Sequence, residues 1–178
     1  MQLSSRWVRP PAALRRQFAA HERSLAVGQT PDSVAVATNL GLWSPEGQDW
    51  RLIGWADIVQ ANWSADGLDI IEAAIADDII TDRAPVRIVF TEPRNVPAVV
   101  RARVENSIAR TEQIAVPGGR AKLVARRRPG IDGLEWSGRF TGGTPDTPGA
   151  RAAIRAQIDR LRDLEVAEGA SDASDRLR

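Results

Sequence analysis

Few residues in this chain could carry reaction chemistry. His21 is the only imidazole and stands beside Glu22. With a carboxylate such as Asp57 it could serve acid–base catalysis in a hydrolase or transferase, because an imidazole titrates near neutral pH and an acid can orient it. No Gly-x-Ser-x-Gly elbow or other local nucleophile signature accompanies it. The acids Asp66, Asp69, Glu72, Asp77, Asp78 and Asp82 offer oxygen ligands but lack calcium-loop spacing, and strand alternation turns several of them outward. A solvated acidic face fits that spacing better than a metal site. The chain contains no cysteine, which excludes disulfides, thiolate nucleophiles and Cys-based metal clusters. So sparse a set of reactive groups predicts a non-enzymatic protein with no catalytic, cofactor-binding or metal-binding residues.

Binding chemistry is better represented. Trp43, Trp50, Trp55 and Trp63 fall close together in the chain. Some would fill a small β core, but strand alternation makes it hard for all four to point inward, and an exposed Trp is favoured at protein contacts. These four are the candidate partner-binding residues. Arg15, Arg16, Arg120, Lys122, Arg126, Arg127 and Arg128 are the candidate anion-binding residues, able to attract anionic membrane or nucleic acid. No nucleic-acid-binding motif accompanies them, and strand pleating lets only some share a face. Gly118-Gly119 and Gly142-Gly143 lack the lysine and spacing of a phosphate loop and read as turns.

The 178 residues suffice for one domain with an appendage. Formal charge is +1 overall but segregated: residues 1–24 sum to +4, 25–93 to −8, 94–128 to +7 and 129–178 to −2. Basic and acidic segments can pack on each other or face different partners. Apolar runs are too short to span a bilayer, and the first residues lack a secretory core, so no integral membrane segment is expected. Location is expected to be cytoplasmic, with peripheral membrane attachment as the variant that the arginines allow.

The pattern of elements that must position these residues begins with a basic, helical N-terminal segment, 1–23. Pro10 and Pro11 open a docking helix over Ala12–Ala20, with Leu14 and Phe18 on one face. Short alternating runs follow: Leu25–Gln29, Val34–Leu42 divided near Asn39 and Gly41, Trp50–Gly54, Asp57–Trp63, Leu68–Ala74 and Val86–Thr91. Ala65-Asp66-Gly67 marks a tight hairpin, with Asp-Gly supplying the positive φ, and residues 76–85 read as a loop. Asn95 caps a helix whose stripe is Val96, Val100, Val104 and Ile108. Beyond Pro117-Gly118-Gly119 come strands Arg120–Arg127 and Leu134–Thr141. A helix follows from Thr147-Pro148 to about Glu168, with Ile154, Ile158, Leu161 and Leu164 on one face. Gly169 stops that helix, and 169–178 form a disordered tail.

The segments Val36-Ala37-Thr38-Asn39-Leu40-Gly41-Leu42-Trp43, Ile53-Gly54-Trp55-Ala56-Asp57-Ile58 and Trp63-Ser64-Ala65-Asp66-Gly67-Leu68-Asp69-Ile70 carry a resemblance. The chain resembles the bacterial, GRAM-type branch of pleckstrin-homology-like domains over residues 24–112, and as a whole resembles actinobacterial proteins of this size. The resemblance implies an α+β, mainly β fold: a seven-stranded barrel capped by a helix, extended over 113–168 by a β-hairpin and a C-terminal helix. Residues 24–50 hold no Lys or Arg, so the resemblance implies the scaffold without the phosphoinositide site, which needs several cations. Scarce reactive groups beside a Trp-rich surface predict a protein-interaction or scaffold module of a cytoplasmic assembly. The alternative is a peripheral binder of anionic membrane or nucleic acid through the arginine-rich segments.

Overall fold

Val34–Thr38 reads Val-Ala-Val-Ala-Thr and is buried along its whole length. Both faces of this strand must therefore be covered. The alanines, Ala35 and Ala37, face one core with Leu42, Ile53 and Trp55, whereas Val34 and Val36 face a second with Leu14, Val27 and Trp43. The small side chains leave room for the bulky Trp55 opposite them, and the valines are roofed by the N-terminal segment. The computed structural model describes residues 9–65 and 67–175, with side chains described through 167. Within them it is α+β, mainly β, with eleven strands and three α-helices.

Two units divide the chain, the first comprising residues up to Ala73, Asp82–Ser107 and Arg128–Ile131. It opens with α1 (Ala12–Arg15), followed by an antiparallel meander of β1 (Ser24–Gln29), β2 (Val34–Thr38), β3 (Gly41–Glu46) and β4 (Asp49–Gly54) in sequential order. A 3-10 turn, Trp55–Asp57, leads to β5 (Ile58–Ser64) and β6 (Gly67–Ala76), which pair antiparallel, and β8 (Val86–Val89) lies on the other edge of β6. A bridge between Gln29 and Glu92 joins the chain after β8 to the edge of β1. The sheets thus curl around one core, into which α2 (Val96–Ser107) inserts Val96 and Val100. Gly28 in β1 is required there, because a Cβ would lie 2.6 Å from the Phe90 ring.

The second unit holds Ala74–Thr81, Ile108–Arg127 and the residues from Asp132 onward. The tip Ala74–Thr81 turns at Asp77 and Asp78, both at positive φ, into β7 (Ile79–Asp82). Aspartate tolerates this backbone better than most L residues. Strands β9 (Ile108–Val116), β10 (Gly119–Arg126) and β11 (Glu135–Thr141) complete the order β7-β11-β10-β9, and α3 (Pro148–Asp175) packs on one face. That face buries Ala121, Leu123, Ala125 and Trp136 against Ala150, Ile154 and Ile158. Thr147 caps α3 as its sequence predicts, its Oγ1 accepting from Ala150 N at 3.2 Å.

Several elements differ from expectation. The docking helix is a single turn, after which Phe18 still packs on the sheet. The loop expected at 76–85 contains β7, because paired αL aspartates build a two-residue hairpin turn that composition does not reveal. The stripe Val96–Ile108 ends at Ser107, whose Oγ donates to Val104 O at 2.7 Å; Ile108 starts β9, where Ile, Thr and Val favour extended backbone. The hairpin at Ala65 keeps Ser64 opposite Gly67, so Gly67 sits in the strand and Ala65, at φ 38°, takes a loop position. Asp66 lies outside the described residues. A Cβ at Gly67 would lie 2.8 Å from the guanidinium of Arg87, the movable end of an exposed side chain. α3 runs through Gly169 to Asp175, one glycine costing a long helix only about 1 kcal/mol. Leu164, expected on its apolar stripe, is 57% exposed. Residues 1–8 of the basic segment and 176–178 of the expected tail lie outside the described residues.

Candidate interaction groove

The tryptophans divide by what their indole nitrogens touch. Trp43 is buried, donates from Nε1 to Glu22 Oε1 at 2.7 Å and stacks on Phe18 at a centroid distance of 5.9 Å. Its partner is the chain's own N-terminal segment. Glu22 also accepts from Thr38 Oγ1 at 2.7 Å and from Ala19 N at 3.1 Å, so one carboxylate ties that segment to β2 and β3. Trp50, half-buried, donates to Val34 O at 2.9 Å. Trp55, fully buried in the 3-10 turn, donates to Thr38 O at 3.1 Å. All three are structural in their contacts.

Trp63 differs. It is 38% exposed and lies tilted on Phe90 at 5.7 Å. Register explains its position: Trp63 pairs with Leu68 and Ala61 with Ile70, so both stand on the core side of β5 near its open end. Trp63 and Leu68 line a cavity of about 390 Å³ together with Ala61 on the strand side and Ala98 and Ala102 on α2. Arg101 and Glu105, one helical turn apart, stand at its rim. The volume falls in the range of small binding clefts, and two alanines leave the helix side open. Sequence reasoning singled out Trp63 but missed Phe90, Arg101 and Glu105. For Arg101 and Glu105 the sequence offers only their i, i+4 spacing in the expected helix, and for Phe90 only its place in the alternating run Val86–Thr91.

The basic residues are divided between the two units. Arg15 and Arg16 are exposed at the end of α1 in the first unit. In the second unit Arg120 and Lys122 are exposed on one pleat of β10, and Lys122 lies across from Arg139. Arg126 shares that pleat but is buried, and Arg127, just past the end of β10, is exposed. Arg128 belongs to the first unit and grips Asp57 through two bonds of 2.9 and 2.7 Å. This pairing also commits Asp57, the carboxylate considered as a partner for His21. His21 is exposed, and its backbone carbonyl accepts from Asn39 Nδ2 at 3.3 Å.

Several of the acids are likewise committed. Glu72 receives two bonds from Arg51, whose guanidinium is held above its ordinary pKa chiefly by that hydrogen bond. Asp69 pairs with Arg87 at 2.8 Å. Asp78 pairs with Arg162 at 2.9 Å and raises its pKa in the same way. Among the described residues no group of three or more His, Asp or Glu side chains is arranged to hold a metal ion, and no helix is long and apolar enough to cross a membrane. Comparison with protein-family models, curated proteins and solved structures finds no match.

Proposed function

We propose that the protein is a non-enzymatic interaction module that binds another protein of a cytoplasmic assembly through the Trp63 groove. The observation that carries this is the contrast among four neighbouring tryptophans. Three place their indole N–H on internal acceptors, whereas Trp63 presents ring surface at the mouth of a cavity. A rigid aromatic with solvent on one side and a supporting ring on the other is the kind of anchor that dominates protein contacts. The arrangement of the first unit, a four-stranded meander, then β5, β6 and β8, then one helix against the core, also supports the pleckstrin-homology-like reading. Such a fold serves as a platform and does not by itself fix a ligand.

A second reading rests on Arg120 and Lys122, which share an exposed pleat in line with Arg139. Such a face would bind anionic membrane or nucleic acid with strong salt dependence. One experiment separates the two readings. Tagged wild type, Trp63→Ser and the double variant Arg120→Glu/Lys122→Glu are used for affinity capture from the native host at low and high salt. The groove reading expects a stoichiometric protein that survives high salt, persists with the double variant and is lost with Trp63→Ser. Recovery unaffected by Trp63→Ser, or nucleic acid and lipid recovered only at low salt, would overturn it.

A further inference from the structure

We infer that the partner enters the groove as an extended strand that pairs with the free edge of β5, carrying an acidic and a basic side chain two residues apart. This rests on the reading of the Trp63 groove as the contact surface. Among the described residues, strand β5 ends the order of its sheet and is hydrogen-bonded only to β6. In an antiparallel pair closed by a two-residue loop, the residues flanking the loop exchange both backbone bonds and the pattern alternates from there. Ser64 and Gly67 flank the loop, so Ser64, Asn62 and Gln60 direct their backbone groups at β6. Ala61 and Trp63 therefore direct their N–H and C=O outward, and these are the two β5 residues that line the cavity.

Backbone groups at an open edge recognise any extended chain, and selectivity comes from the side chains beside them. Here the neighbours are Trp63 on the strand and Arg101 and Glu105 on the helix. Neither the Arg101 nor the Glu105 side chain forms a hydrogen bond or ion pair among the described residues. Four residues of α-helix rise about 6 Å, and two residues of strand advance about 6.6 Å. An incoming strand can thus set an acid against Arg101 and a base against Glu105 from the same face. A third side chain of that face, two residues further along, is apolar and covers Trp63.

The test uses blocked seven-residue peptides with threonine at alternate positions and one leucine, one aspartate and one lysine at the others, in all six orders. Binding is followed by Trp fluorescence and calorimetry. One charge order should bind better than its exchanged counterpart, and the double variant Arg101→Glu/Glu105→Arg should reverse that preference, each by about threefold to tenfold as expected for two exposed pairs. N-methylation of the amides that face β5 should weaken binding about tenfold, whereas methylation of the intervening amides should not. Failure of every peptide, indifference to charge order, or indifference to N-methylation overturns strand addition. If that happens while a lysate partner still depends on Trp63, the groove reading survives and only its strand mode falls. If Trp63→Ser also leaves the lysate partner bound, both fall.

Discussion

The bond from Trp43 Nε1 to Glu22 Oε1, at 2.7 Å, is the most exacting contact of the N-terminal segment, and Trp43→Phe removes it while keeping an aromatic ring for Phe18. A hydrogen bond to a charged group contributes about 1.5–3 kcal/mol. Because Glu22 keeps Thr38 Oγ1 and Ala19 N as donors, the lower end of that range applies. The smaller ring also gives up about 1 kcal/mol of buried apolar surface. A total of about 2.5 kcal/mol should lower Tm by about 5–10 °C for a chain of this length. Urea titration followed by near-UV circular dichroism and by NMR signals of the first unit would measure it without assuming that both units unfold together. Adding Glu22→Gln completes a double-mutant cycle, in which a coupling of about 1 kcal/mol or more is expected. If the two single effects add to within about 0.5 kcal/mol, the carboxylate is not the clasp argued above.

Gly28→Ala should destabilise by about 1–3 kcal/mol through overpacking, and because the new Cβ meets the Phe90 ring, the fluorescence of Trp63 should shift as well. Ile154→Ala empties a fully buried site on α3 and should cost about 2–5 kcal/mol, with loss of amide exchange protection concentrated in β9–β11. Asp146 is held below its ordinary pKa first by its hydrogen bond from Arg151. A depressed folded value means that the pair's contribution is present above the unfolded pKa and lost as pH falls through the folded one. Carboxyl NMR should therefore show Asp146 titrating below 3.8, the ordinary value, and Arg151→Ala should return it there.

Much of the scaffold was legible because local chemistry decided it. The Val-Ala alternation of β2, the break near Asn39, the hairpin of β10 and β11, and the Thr147 cap all follow from side-chain period and turn residues. Strands β7 and β9 were not legible for opposite reasons. The first is made by a turn of two aspartates whose αL backbone leaves no hydrophobic trace, and the second was hidden by an apolar spacing at Ile108 that happens to continue a helical stripe. The division of the tryptophans was beyond sequence because each depends on a distant acceptor: Glu22 for Trp43, Val34 for Trp50 and Thr38 for Trp55. The groove itself forms only where β5 meets α2, and no local pattern records that meeting.

The Asp57–Arg128 clasp has a consequence for the order of events during synthesis. Its two residues are separated by 71 positions. At ribosomal rates of about 5–20 residues per second, the carboxylate waits roughly 4–14 s for its guanidinium. Strands β1 to β6 have left the ribosome by then, yet the first unit is still missing Arg128–Ile131. Nascent chains stalled before Arg128 would hold the meander with an open latch, and those stalled some tens of residues later would hold it shut.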